Sequence, residues 1–124
     1  MLLENNSYPG DVRVRREAET LQAAGYQVTV ISPGKSTHAR HEIVRGVNVY
    51  RFRQPQSGNG LFGYLWEYGY SLLASLIISG FVFFRHGFDV IHAHNPPDLF
   101  VLIAMLYKPL GKRFVFDHHD LAPE

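Results

Sequence analysis

The 124-residue chain is long enough for one domain with its own core and too short for two. Its 46% hydrophobic and 19% charged residues fit a globular protein and exclude a disordered one. The net charge of +1 gives no signature of a nucleic-acid partner, and the absence of cysteine excludes disulfides, thiolate metal sites and cysteine nucleophiles.

Strand and helix patterns alternate along the chain, as in an α/β domain with a mostly parallel sheet. Leu2-Leu3 is a short first strand. Only Met1 to Leu3 are apolar there, against about five residues in an ordinary strand, so the strand is expected to be clipped. The run is also too short for the core of a secretory leader. Asn5 to Gly10 is a turn-rich loop, and Asp11 is placed to cap a helix carrying Val14, Ala18 and Leu21 at helical spacing. Gly25 closes that helix. Tyr26 to Ser32 reads as a buried strand ended by Pro33-Gly34, and Gly46 to Arg53 as the next strand. Leu61 to Phe84 is a long apolar helix, or two helices broken near Gly69 or Gly80. Asp89 to Ala93 is a strand, Asn95 to Asp98 a sharp turn, and Leu99 to Tyr107 a helix that Asp98 is placed to cap. Arg113 to Phe116 is the last strand, and the chain stops in a loop at Pro123-Glu124, so both ends read as cut.

Three polar clusters fall at strand ends: Glu4 to Asp11, His94 to Asp98, and Asp117 to Glu124. Open parallel sheets carry their ligands along that edge. The first loop has one glycine, Gly10, which makes a nicotinamide-cofactor site a weak reading. Its amides at the helix start can still hold an anion or hydroxyl. The plainer alternative is that Asp11 serves only as a cap there, and Arg13, Arg15 and Arg16 only as solvated charges. In the second cluster, strand alternation puts His92 and His94 on one face. Zinc would need a third ligand, which Asp117 to Asp120 could supply; hydrogen bonding explains the same residues, and no metal is expected. His94, at the strand end, is the better functional candidate, and His92 reads as a satisfied core histidine. In the third cluster, Asp117, His118, His119 and Asp120 can do acid–base work or hold sugar hydroxyls.

These residues resemble the N-terminal domain of the family-4-like retaining glycosyltransferases. The resemblance lies in NNSYPGDVRVRREAETLQAAGYQVTVISPG (Asn5 to Gly34), GVNVYRF (Gly46 to Phe52), DVIHAHNPPDL (Asp89 to Leu99) and FVFDHHDLAPE (Phe114 to Glu124), in the family's order and over nearly the whole chain. It implies a Rossmann-like domain, the acceptor-side half of a GT-B architecture, spanning residues 1–124, with the donor-binding half outside this chain. It implies transfer of a sugar from a nucleotide-activated donor to a saccharide or lipid-linked acceptor with retention. No bound metal or cofactor is implied, the nucleotide sugar being a substrate. Carried over by residue, His119 would contact the transferred sugar as the catalytic residue, and Gly10 would approach the donor phosphates. His94 and Asn95 would line the acceptor side. Asp11 and Arg13 match the loop's D-x-R pattern, and Asp117, His118 and Asp120 flank the histidine as substrate-binding candidates. A GT-B nucleotide-sugar epimerase and a non-catalytic or membrane-associated α/β domain are the alternatives. A cytoplasmic location is expected.

The 17 residues from Tyr68 to Phe84 carry no formal charge. A spanning helix needs about 20 apolar residues. Tyr64, Trp66, Tyr68 and Tyr70 gather at one end, as interfacial aromatics do. The expectation is peripheral contact of Leu61 to Phe84 with the inner face of the cell membrane, a simple core helix ranking next and a true span last.

Overall fold

A computed structural model describes residues 1–4, 6–55, 58–94 and 99–117. The elements are α1 (Val12–Ala23), β1 (Thr29–Gly34), β2 (His41–Val44), β3 (Val47–Arg53), α2 (Leu61–Arg85), β4 (Val90–His94), α3 (Phe100–Tyr107), a 3-10 turn (Lys108–Leu110) and β5 (Arg113–Asp117).

β1 runs parallel to β3, and β4 parallel to β5. The two pairs are joined by the first residues of the chain. Leu2 bridges in parallel to Ile31 of β1 and to Ala93 of β4. Its N–H donates to His92 O at 2.8 Å, its carbonyl accepts from His94 N at 3.1 Å, and Leu3 N donates to Ile31 O at 2.9 Å. The sheet therefore reads β5, β4, residues 1–3, β1, β3, β2, all parallel except β2. The expected mostly parallel α/β fold is what forms.

Two cores lie on opposite faces. Strand alternation sends Leu3, Val30, Val47 and Val49 to the face that meets Val14 and Ala18 of α1. Leu2, Ile31, Phe52, Ile91 and Ala93 go to the other face, against Phe100, Ile103 and Tyr107 of α3 and the inner side of α2. Asp11 caps α1 as expected, accepting from Arg13 N at 3.0 Å and Val14 N at 3.3 Å. Gly25 ends the helix in the left-handed region, φ 94°.

Two local expectations change, and of the two readings of α2 the single helix is the one that forms. β2 was not foreseen: it pairs antiparallel with β3 across a turn in which Arg45 and Gly46 both have positive φ, 49° and 82°. That is the backbone of a tight hairpin, formed without the Asn-Gly or Asp-Gly that usually announces one. β1 starts at Thr29 and continues through Pro33 and Gly34, which pair with Phe52 and Arg53. Gly34 is required there by packing, since a Cβ would sit 2.6 Å from Arg51 Cδ. α2 is one helix, unbroken at Gly69 and Gly80.

Candidate functional site

The ends of three neighbouring strands, residues 1–3, β4 and β5, deliver Glu4, His94 and Asp117 to one edge of the sheet. His94 and Asp117 are register partners. His94 is buried, and its Nδ1 lies 3.7 Å from Asp117 Oδ2. His92 stacks on His94 with ring centroids 4.3 Å apart, and its Nδ1 lies 3.1 Å from Glu17 Oε1 on α1. Both histidines thus sit on the α1 face, and His92 has the carboxylate partner expected of a satisfied histidine. The ligating atoms of Glu17, His92, His94 and Asp117 all lie within 4.8 Å of one another. Two imidazoles and two carboxylates are a donor set for a divalent ion such as zinc. They equally form two imidazole–carboxylate pairs without one.

The loop before α1 is fastened from below. Gly10 N donates to Ser7 O at 2.8 Å, and Tyr8 is fully buried, its N–H 3.3 Å from Ser32 Oγ. Arg51 is the deeper anchor. Its guanidinium is buried and donates to Tyr8 O at 3.0 Å and Ala39 O at 3.1 Å, and it pairs with Glu42. Asp11 sits above. Burial alone would raise its carboxyl, but hydrogen bonds from Val14 N, the Asn6 side chain and Arg13 N, with the charge of Arg13, hold it below the ordinary value. The Arg13 side chain is exposed at the first turn of α1.

Glu4 is the least conventional group at this edge. It is 2% exposed, and neither carboxyl oxygen has a hydrogen-bond partner among the described residues. Burial, and next the charge of Glu67, pushes its pKa up to about 8. A carboxylic acid in such a setting stays protonated at neutral pH.

Residues 10–124 match the glycosyl transferase 4-like domain. The chain belongs to the glycosyl transferase 4-like family. No curated protein and no solved structure matches it.

Within this glycosyl transferase 4-like domain, the structure brings His94 and Asp117 together and places Gly10, Asp11 and Arg13 on the loop and first turn that follow the first strand. Asn95, His118, His119 and Asp120 lie outside the described residues. Sequence reasoning missed Glu17 and Arg51 as members of the site region; it placed Glu4 in the first polar cluster but did not foresee its burial. Glu17 was hidden because its partner is remote in sequence. Arg51 was detectable: alternation along Val47, Val49 and Arg51 points it to the α1 face, where a charge needs partners.

Proposed function

We propose that this glycosyl transferase 4-like domain is the acceptor-side half of an enzyme that moves a sugar from a nucleotide-activated donor to a saccharide or lipid-linked acceptor, with retention at the anomeric carbon. The observation that carries this reading is that the Asn6–Asp11 loop, His94 and Asp117 follow or end neighbouring parallel strands at the carboxyl edge of one sheet, where such folds bind their substrates. In the proposal, the amides around Gly10 approach the donor phosphates, and Asp11 keeps that loop in register with α1. His94 and Asn95 face the acceptor. His119 contacts the transferred sugar, flanked by Asp117, His118 and Asp120. Retention requires the incoming hydroxyl and the departing diphosphate to be handled on the same face of the sugar. Charge on the diphosphate is met by positive groups of a donor-binding half. The reading assigns no resident metal or cofactor; the nucleotide sugar is consumed. It places the enzyme in the cytoplasm, with peripheral contact at the inner membrane face through Leu61 to Phe84.

The test is to incubate the full-length protein with a panel of UDP- and GDP-sugars and a lipid extract, and to assign the anomeric configuration of any product by NMR. A product with the donor's configuration, lost in His119→Ala, supports the proposal. An inverted product, or turnover unaffected by His119→Ala, overturns it.

A further inference from the structure

Helix α2 is apolar on its outer face as well as its inner one. Ser71, Ser75 and Ser79 repeat every four residues and form its buried stripe, with Ser79 Oγ 3.0 Å from Tyr107 OH on α3. Leu72, Leu76, Ile78 and Phe83 pack partly buried against the core and Val82 is buried, but a second set of large apolar side chains points away from the protein: Phe62, Leu65, Leu73, Ile77, Phe81 and Phe84 are all exposed, Phe62 by 87% and Phe84 by 89%. Only 22% of the most apolar 18-residue stretch is buried, so α2 is not a core helix. A helix whose outer face meets only water carries the opposite pattern. A contiguous apolar face of this kind marks an interaction surface.

Charge identifies what it meets. Arg40 and Arg53 border a hollow of about 260 Å³ lined by Tyr70, Ala74, Ile77 and Ile78 of α2. Arg85 ends the helix with its guanidinium 6.0 Å from the Phe81 ring centroid. Lys108 and Arg113 adjoin Tyr107 and Lys112, both of which meet Phe83 near that end of the helix, the ring centroids of Phe83 and Tyr107 lying 5.5 Å apart and Lys112 Nζ 5.6 Å from the Phe83 ring centroid. None of these five cations forms an ion pair among the described residues. The neighbouring acids are engaged: Glu42 with Arg51, Glu67 with Gln54, Asp89 with Lys112. An apolar band framed by spare positive charge complements a surface that is apolar inside and anionic at its rim. Trp66 and Tyr64, exposed in the first turns, suit the depth where acyl chains give way to headgroups. A second copy would set cation against cation.

We propose that α2 lies flat in the interface of a bilayer containing anionic phospholipid, with its outer side chains among the acyl chains and Arg40, Arg53, Arg85, Lys108 and Arg113 on lipid phosphates. The inference rests on the membrane contact proposed above and gives it a lipid class and contact residues. The 25-residue helix is long and apolar enough to cross a membrane, but crossing conflicts with the sheet. β3 before it and β4 after it belong to one sheet through residues 1–3, so the two ends of α2 cannot lie on opposite sides of a bilayer.

The experiment is co-sedimentation of full-length protein with vesicles of phosphatidylcholine alone or with phosphatidylglycerol added, at low and high salt. Binding is expected to favour the anionic vesicles and to weaken with salt. Arg85→Gln with Lys108→Gln should weaken it roughly 30-fold, the loss of two cations near an anionic surface. Leu73→Glu with Ile77→Glu should abolish it while circular dichroism and melting temperature stay unchanged, because both side chains are exposed. Equal binding to neutral and anionic vesicles overturns the lipid class while leaving the membrane contact standing. Binding to neither overturns the docking altogether, and self-association lost in the same variants would name a second copy as the occupant.

Discussion

Glu4 and Asp11, seven residues apart in sequence, are carboxyls driven in opposite directions by their surroundings. Asp11 accepts amide hydrogen bonds that favour its charge; Glu4 has none among the described residues and faces the charge of Glu67. In the unfolded chain Glu4 loses its proton near its ordinary value of 4.5, while in the folded protein it keeps it to about 8. Its contribution to stability is therefore fully present below 4.5 and is lost as pH rises through 8. Glu4→Gln, which mimics the neutral acid, should become more stable than the wild type by about 1.4 kcal/mol for each pH unit across that window. Urea denaturation of the two proteins over the range measures this directly, and a pH-independent difference would show that Glu4 is ionised when folded. Asp11→Ala has the opposite signature. It should cost about 1 kcal/mol at neutral pH through the lost cap, and the two proteins should converge as pH falls below 3.8, the ordinary aspartate value. Asp11 was legible in the sequence because a cap acts on the next three residues. Glu4 was not, because its burial depends on elements from far along the chain that close over it.

Among the elements, those defined by local pattern were legible. Valine alternation and helical spacing gave β3, α1, α2 and β4 nearly to their ends. β2 escaped because His41–Val44 is largely exposed and carries no alternation of its own; its pairing with β3 and the Arg45-Gly46 turn create it. The orientation of α2 escaped for a related reason. Composition identified an apolar helix but not which side the sheet would take, and the sheet takes the serines. Small residues let the helix approach closely, yet Ser71 Oγ and Ser75 Oγ are buried with no hydrogen-bond partner among the described residues. Removing such a hydroxyl removes an unmet desolvation cost. Ser75→Ala should thus raise stability by up to about 1 kcal/mol, whereas Ser75→Leu should lower it by about 1–3 kcal/mol by forcing the helix off the sheet. Thermal melts of the pair decide the matter: a destabilised alanine variant would mean that the hydroxyl is hydrogen-bonded after all.

At the scale of the whole molecule, the first three residues are the joint. Among the described residues, β1, β3 and β2 form one ladder and β4 and β5 another, and only the backbone of Met1 to Leu3 ties them. The same residues serve both cores, Leu2 with the α2–α3 side and Leu3 with the α1 side. This geometry also sets the candidate site, since it brings the loop before α1 alongside the ends of β4 and β5. The joint was not legible in sequence, because hydrogen bonds to two remote neighbours cannot be seen there. Leu2 and Leu3 are each 3% exposed, so truncating either leaves a cavity at the centre of the fold. Leu2→Ala should cost about 2–5 kcal/mol. More tellingly, it should loosen both ladders together rather than the α2–α3 side alone. Native-state hydrogen exchange would read this at Ile31 N, which donates to Met1 O, and at His94 N, which donates to Leu2 O. Parallel loss of protection at both amides is expected. Loss at His94 with Ile31 unchanged would show that the two halves of the sheet are stable without the joint.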